Sequence, residues 1–296
     1  MKTLFLHVGA GKTGSTAIQY HLHANADTLA GMGVSVPLLD VYYPGRGPTD
    51  YMGNGEFLVA EFVHGEQGAN RQLYDRFLKV CASTNSTTII VSCEMLEFAA
   101  RDKLDMLRAA MAQVGVAVKV IYILRDLIPH AVSFWLQVVK NHGETRSWAK
   151  FASDFQSPFA RSLVKFQDVF GPDAVLTGKY HESNRDDVIA TFYDLIGIPV
   201  DRLTTVDATY NLSLGSAAAE VALVINGQQY LTADKKRELI RMIHNALRSR
   251  RLDPRFDGRL SNEQRRAFEE RHATDMSVLR RHDVDWGWSE QPTFSD

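Results

Sequence analysis

The segment TLFLHVGAGKTGST, residues 3–16, decides the fold, because it joins an apolar run to a glycine-rich turn and then to a helix. Residues 3–8 are apolar except for Thr3 and His7 and predict a buried strand. After the turn the period changes, and apolar side chains recur at helical spacing from Ile18 to Leu29. We therefore predict a helix that runs to about Gly31. Strand, tight turn and helix together form the opening unit of an α/β sheet.

The turn itself, GAGKTGST at residues 9–16, has the composition of a phosphate-binding loop. A glycine-rich turn at a helix N-terminus directs free backbone N–H groups and the positive end of the helix dipole at one point. Lys12 adds a full charge, and Thr13, Ser15 and Thr16 add hydroxyl groups. The alternative is a tight turn that uses glycine only for its backbone, with Lys12 in solvent.

Further strands alternate with helices along the chain. Residues 87–92 (TTIIVS), Val116–Leu124 (VAVKVIYIL) and residues 174–177 read as strands, and helical patterns follow each of them. This alternation predicts an open, mostly parallel α/β sheet with helices on both faces. We expect one domain over residues 1–296, with chemistry beyond the carboxyl ends of the strands.

Two regions depart from this alternation. Residues 37–72 are rich in Gly, Pro, Tyr and Asn and show no period, so we expect a functional insertion or lid there. Residues 216–296 read as a helical C-terminal part, in which Ser261 and Gln264 match a capping box. Residues of the first region could form an acceptor-binding wall, namely Tyr42, Tyr43, Arg46, Tyr51 and His64. The alternative is that the aromatic side chains among them pack on the core.

Composition excludes several classes of protein. The 296 residues carry a net charge of −2 and are 45% hydrophobic, as in a globular chain without general affinity for nucleic acid. No apolar run reaches the length of a transmembrane helix. Two cysteines make no disulfide framework, and residues 4–6 are too short for a secretory signal, so we expect a reduced, cytoplasmic protein.

The C-terminal part is basic although the whole chain is not. Residues 235–281 hold 14 lysines and arginines against 7 acidic residues. A solvated helical surface with many charge pairs would give this composition. A basic wall near an anionic ligand would give it as well.

Arg125 and Ser133 form a second candidate anion site. Arg125 ends the third predicted strand, and Ser133 follows eight residues later on a helix whose polar side also carries His130. The planar guanidinium fork of arginine matches phosphate oxygens. The alternative is an arginine paired with Asp126 and a serine that faces solvent.

These two sites together resemble the signatures of sulfotransferases. A Walker A loop would need glycine at position 6, where Leu6 stands. Lys12-Thr13-Gly14-Ser15-Thr16 instead resembles the family's 5′-phosphosulfate loop, and Arg125-Asp126 with Ser133 resembles its 3′-phosphate signature. Tyr180 and Glu182 are similar to a further family segment. The resemblance implies 3′-phosphoadenosine 5′-phosphosulfate (PAPS) as donor and its phosphate contacts, which are Gly11, Lys12, Thr13, Gly14, Ser15, Thr16, Arg125 and Ser133.

Two features of the cytosolic small-molecule members are not matched. Ala17 stands where those members place an adenine-stacking tryptophan, and no R-K-G-x-x-G motif is found toward the C-terminus. The sequence is more similar to bacterial and carbohydrate-type sulfotransferases. The acceptor implied is therefore a hydroxyl of a glycan or small molecule, and the oligomeric state is left open.

Glu94, just after the second predicted strand, is the candidate base. The resemblance implies this role, because glycan sulfotransferases carry a glutamate here, about thirty residues before the 3′-phosphate arginine. Glu94 precedes Arg125 by 31 residues. Two other interpretations are an acidic residue at a helix start and the end of a Walker B strand.

The implied reaction is metal-independent, with Lys12 and Glu94 as its catalytic residues. Two other classes of function stay open. One is a kinase that uses ATP and Mg²⁺, with Asp126 or Glu94 on the metal. The other is a nucleotide-binding protein without catalysis.

Overall fold

A parallel sheet forms the framework of the protein. The computed structural model describes residues 1–39, 53–64, 69–180, 186–206 and 213–281. Within these residues the strands are β1 Lys2–His7, β2 Val34–Ser35, β3 Thr88–Ser92, β4 Val116–Leu124 and β5 Val175–Lys179. Their order is β2-β3-β1-β4-β5, and every neighbouring pair is parallel. The α/β class predicted from the sequence is confirmed.

Helices connect and cover the strands. In the described chain they are α1 Ser15–Ala24, α2 Ala26–Gly31, α3 Glu56–Val59, α4 Ala69–Ser83, α5 Arg101–Gln113, α6 Leu127–Asn141, α7 Trp148–Asp154, α8 Phe159–Phe170, α9 Asp186–Ile196, α10 Ser216–Asn226, α11 Ala233–Ser249, α12 Asn262–Arg271 and α13 Ala273–Arg281. A short 3-10 turn, Glu94–Phe98, follows β3 directly. None of these helices is both long and apolar enough to cross a membrane.

The contacts divide the chain into two compact units. The first unit comprises Met1–Arg125 and Pro158–Tyr210, and it contains the whole sheet. The second comprises Asp126–Ser157 and Asn211–Asp296 and is helical wherever regular structure is described.

Both faces of the sheet are covered within the first unit, because successive strand residues point to opposite faces. Ile121 and Ile123 of β4 belong to a core cluster with side chains from α1 and α9. Tyr122, between them, contacts Phe159 and Phe166 of α8 on the other face. The predicted three-layer arrangement is thus confirmed, with β1 buried at the centre.

The predicted first helix is wrong in one respect, because it breaks at Asn25. The side chain of Asn25 donates to Thr204 O at 3.0 Å and accepts from Thr204 N at 2.7 Å. These bonds interrupt the helix at Asn25, and α2 begins at the next residue, Ala26. Asparagine favours such local backbone bonds over the helix interior.

The 37–72 region is partly regular although its sequence shows no period, and its role as an insertion or lid stays a prediction. It contains α3, a single π-helical turn at Ala60–His64, and the start of α4. Elements of four and five residues are too short to produce a detectable period. Residues 40–52 lie outside the described part, so the proposed acceptor side chains at 42, 43, 46 and 51 do too, as does residue 182.

The second unit confirms the helical C-terminal part. α10 to α13 lie where the sequence predicts helices, and α12 opens with the predicted capping box, in which Ser261 Oγ accepts from Gln264 N at 3.2 Å. Asp253 accepts hydrogen bonds from Gly215 N and Ala218 N, each 3.0 Å long, and so caps α10 from a distant position.

Candidate active site

The candidate site lies at the carboxyl end of the sheet, around the central strand. β1 has β3 on one side and β4 on the other, so the residues that follow these three strands are neighbours. Backbone bonds continue the pairing past the strand ends: Val8 N donates to Ile121 O, Ile123 N to Gly9 O, and Cys93 N to His7 O. The loop that starts at Gly9 is therefore held from both sides.

The loop from Gly9 to α1 adopts the conformation of a tight βα turn. Gly9 and Gly14 have φ values of 105° and 88°, in the region that glycine enters without cost. Lys12 has φ 71°, which is unusual for a residue with a side chain. A methyl group at Gly14 would lie 2.9 Å from Val188 and 3.3 Å from the Tyr180 ring. The turn thus requires glycine at position 14 for two independent reasons.

The hydroxyl groups of the loop differ in their surroundings. Thr13 is buried, and its Oγ1 donates a 2.5 Å hydrogen bond to Ala10 O, which closes the turn on itself. Ser15 lies on the buried face of α1 with Ile18 and Leu22, and its Oγ has no hydrogen-bond partner among the described residues. Thr16 is only half-buried. The first N–H groups of a helix lack intrahelical partners, so the backbone of Ser15 and Thr16 offers donors whatever their hydroxyls do.

Arg125 lies beside this loop. Its Nη1 donates a 2.5 Å hydrogen bond to the backbone carbonyl of Lys12. Its guanidinium also stands over the Tyr180 ring, 4.7 Å from the ring centre, and Tyr180 packs on Gly14. The arginine after β4 and the loop after β1 are therefore parts of one cluster, as the sequence interpretation requires.

Glu94 lies against the loop from the other side. It opens the 3-10 turn after β3 and is half-buried. A methyl group at Gly9 would lie 3.2 Å from Glu94 O and 3.4 Å from Glu94 Cβ. The candidate base is thus adjacent to the loop that starts at Gly9.

A buried histidine, His7, joins β1 to β3. His7 Nδ1 and Ser92 Oγ form a 2.8 Å hydrogen bond. Burial lowers the pKa of His7 to about 4, so the ring is neutral at physiological pH. Its Nε2 has no hydrogen-bond partner in the described part of the chain. The ring lies edge-on to Phe192, inside the sheet core.

A second carboxyl group, that of Glu97, belongs to the same 3-10 turn as Glu94 and was not predicted. Glu97 is buried and accepts a short hydrogen bond from the Tyr122 hydroxyl. Burial raises the pKa of Glu97, and hydrogen bonds from Tyr122 and Ser162 oppose that rise. Lys165 Nζ binds the backbone carbonyls of Glu97 and Ala99, which fixes the 3-10 turn. No local sequence pattern distinguishes Glu97 from an exposed helix-start residue.

Ser133 belongs to the second unit. It lies on α6 and is buried, as is His130 of the same helix. The polar stripe predicted for α6 is therefore enclosed over its first two turns, and Lys140 near the C-terminal end is half-buried. Burial also lowers the pKa of Lys140. The assignment of Ser133 to a phosphate site stays a prediction.

No group of three or more His, Cys, Asp or Glu side chains suited to a metal ion is present among the described residues. Cys81 and Cys93 are both buried and unpaired with each other. Lys12, Glu94 and Arg125 are charged residues in the loop or adjacent to it.

Comparisons with solved structures give three sulfotransferases, the class that the sequence resembles. A sulfotransferase from Alicyclobacillus acidocaldarius has 16% identity and a TM-score of 0.42, covering 81% of this chain and 96% of that chain. Mouse sulfotransferase SULT7A1, complexed with PAP, has 14% identity and a TM-score of 0.42, covering 96% and 86%. The sulfotransferase domain from the curacin biosynthetic pathway has 14% identity and a TM-score of 0.34, covering 82% and 96%. No protein-family model and no curated protein matches the chain.

Proposed function

We propose that this protein transfers a sulfuryl group from PAPS to a hydroxyl of a glycan or small-molecule acceptor. One observation carries the proposal: the loop from Gly9 to Gly14 is bracketed by Glu94 on one side and by Arg125 on the other. A carboxylate, a loop lysine and an arginine around one helix N-terminus supply a base and cationic groups for an anionic donor.

The residues of the loop fit the 5′-phosphosulfate end of such a donor. Positive φ at Gly9, Lys12 and Gly14 curls the backbone toward α1, as anion-binding loops do. Donor phosphates would be held by residues 11–16, with Arg125 and Ser133 on the 3′-phosphate. PAPS supplies the sulfuryl group and leaves as 3′-phosphoadenosine 5′-phosphate (PAP).

Two side chains carry the chemistry in this proposal. Glu94 takes the proton of the acceptor hydroxyl as general base. The Lys12 ammonium neutralises the charge that grows on the leaving phosphate oxygen, an interaction stronger in the transition state than in the ground state. A sulfuryl group carries less charge than a terminal phosphoryl group, so no metal ion is needed to offset it.

A kinase is the second candidate function. It would bind ATP with Mg²⁺ and place Glu94 or Asp126 on the metal, whereas the present proposal gives Glu94 to the acceptor. A binding protein without catalysis would keep the loop and show no transfer.

Thermal unfolding with different nucleotides separates these candidates, because a ligand that binds only the native state raises the Tm. We expect PAP to stabilise the protein more than ATP or Mg-ATP, and 5′-AMP to do so less than PAP. Stabilisation by Mg-ATP alone would favour the kinase. Equal responses to PAP and 5′-AMP would contradict a 3′-phosphate site.

Turnover then needs an acceptor. Sulfur-labelled PAPS with panels of glycans and phenols identifies the acceptor class, and a chelator in every reaction tests metal independence. We expect labelled product with the wild type, and a residual rate about 10²–10⁴-fold lower with Glu94→Gln. Loss of product on chelation would contradict the metal-independent mechanism.

A further inference from the structure

The outer edge of β3 loses its neighbouring strand before it reaches the site. β2 pairs only with Thr88 and Ile89 and then ends. In a parallel sheet, Ile90 and Ser92 direct their N–H and C=O groups toward that same edge. Buried backbone groups without hydrogen-bond partners are destabilising. Something other than a strand must therefore bind the last residues of β3.

Asn54 fills this gap with its side chain. Its Nδ2 donates to Ile90 O at 2.8 Å, and its Oδ1 accepts from Ser92 N at 2.8 Å. Gly55 N adds a third bond, to Ser92 O at 3.2 Å. The amide of Asn54 thus takes the place of a strand, and the side chain is only 3% exposed.

The glycines on either side of Asn54 allow this close approach. A methyl group at Gly53 would lie 2.6 Å from Ser92 O, and one at Gly55 would lie 2.6 Å from Val91 and 2.8 Å from Cys93. Gly53 also has φ 88°. We call residues 53–55 the Asn54 clasp.

The clasp closes one side of the strand end, and β1 closes the other. His7 binds Ser92 through its side chain and Cys93 through its carbonyl. Glu94 follows directly and leaves the sheet beside Gly9. We infer that Asn54 is a positioning residue for Glu94: its side chain completes the outer edge of β3 and fixes the point at which Glu94 enters the site.

This inference rests on the proposed function of Glu94 as base, and its test compares two buried asparagines. Asn25 is the matched control, because it lies in the same unit, is fully buried and binds the backbone of Thr204 through both side-chain atoms. We expect Asn54→Ala and Asn25→Ala to lose similar stability in urea unfolding. Only Asn54→Ala should lower kcat, by roughly 10- to 100-fold, the effect of a misplacement of about 1 Å.

Two further readouts distinguish positioning from a general loss of structure. The Kd for PAP, from calorimetry, should stay within about twofold of the wild type in Asn54→Ala, because the loop bonds to β4 remain. The double variant Asn54→Ala/Glu94→Gln should be no slower than Glu94→Gln alone. Asn54→Asp keeps the acceptor for Ser92 N and should fall between the wild type and Asn54→Ala.

Several outcomes would overturn the inference. An unchanged kcat in folded Asn54→Ala would do so, as would an equal loss in Asn25→Ala, or a double variant slower than Glu94→Gln. Amide hydrogen exchange gives a readout that needs no activity, since Ser92 should exchange faster in Asn54→Ala and not in Asn25→Ala. If the wild type neither binds PAP nor transfers sulfate, the proposed function fails, and unchanged Ser92 protection would separately refute the clasp.

Discussion

The guanidinium of Arg125 donates a hydrogen bond to the backbone carbonyl of Lys12, across 113 positions of sequence. Arg125, which follows β4, thereby supports Lys12, the non-glycine residue of the loop whose backbone is left-handed. The same guanidinium rests on Tyr180, which rests on Gly14. The arginine that we propose for the 3′-phosphate therefore also braces the loop that we propose for the other end of the donor.

The two roles of Arg125 are separable with Arg125→Lys. Lysine keeps a charge but loses the planar fork and its several donors. We expect the affinity for PAP to fall about tenfold or more, because hydrogen bonds to charged groups contribute about 1.5–3 kcal/mol. The affinity for 5′-AMP, which lacks the 3′-phosphate, should fall less. Calorimetry with both nucleotides gives the comparison, and equal losses would mean that Arg125 acts only as a brace.

Lys12 carries a prediction about turnover. Lys12→Ala should lower kcat by about 10²–10³-fold, as removal of one transition-state donor does, and leave the fold intact. Lys12→Gly should lose the same activity and be at least as stable as Lys12→Ala, because glycine tolerates φ 71°. Lys119→Ala, at an exposed position on β4, is the control. Normal turnover of Lys12→Ala with PAPS would remove Lys12 from the mechanism.

Two glycines of the loop form a matched pair for stability. Gly14→Ala places a methyl group 2.9 Å from Val188 and forces a side chain to φ 88°, which costs about 1–2 kcal/mol before any crowding. A methyl group at Gly11 would meet open space, with nothing within 4 Å, and Gly11 has no positive φ. We expect urea unfolding to show a loss of about 2 kcal/mol or more for Gly14→Ala and near-wild-type stability for Gly11→Ala. Equal values for the two variants would contradict this assignment.

His7 predicts a specific dependence of stability on pH. Burial lowers its pKa from 6.5 to about 4. Between pH 6.5 and pH 4 the His7 side chain is therefore protonated in the unfolded chain and neutral in the folded chain. The free energy of unfolding should therefore fall by about 3 kcal/mol through His7 as the pH drops from 6.5 to 4, and hold steady above 6.5.

His7→Asn isolates this contribution, because asparagine keeps a polar atom near the position of Nδ1 and does not titrate. The stability difference between wild type and His7→Asn, from urea unfolding, should be largest above pH 6.5 and shrink toward pH 4. A difference that stays constant over this range would show that protonation of His7 does not contribute.

The sheet was largely predictable because its central strands are continuous apolar runs. β4 matches its predicted bounds, β3 begins one residue later than predicted, and β1 is shifted by one residue toward the N-terminus at both ends. β5 continues to Lys179, two residues beyond the predicted end. The prediction stopped early because Gly178 and Lys179 interrupt the apolar pattern that marks the start of the strand. β2 has two residues and too little sequence for a signal. α8 was not predicted, although Phe159, Leu163 and Phe166 give it a readable helical period.

The parts of the site that lie close together in sequence were predictable, and the contacts between residues far apart in sequence were not. The loop lies within eight residues, and turn chemistry alone indicated it. Asn54 could not be found, because its partners Ile90 and Ser92 lie about 36 to 38 positions away and its neighbours show no period. The bond from Arg125 to the carbonyl of Lys12 is likewise invisible, since backbone acceptors leave no mark in a sequence.

The left-handed backbone at Lys12 makes the stability of the fold and the catalytic role that we propose for this side chain favour different residues at position 12. Selection for thermal stability alone would favour glycine at this position, because glycine tolerates the positive φ. Stability and activity conflict in this way wherever a functional side chain stands in a backbone conformation that it disfavours. Laboratory evolution under thermal pressure, without a screen for product, would therefore be expected to yield a hardier but inert population.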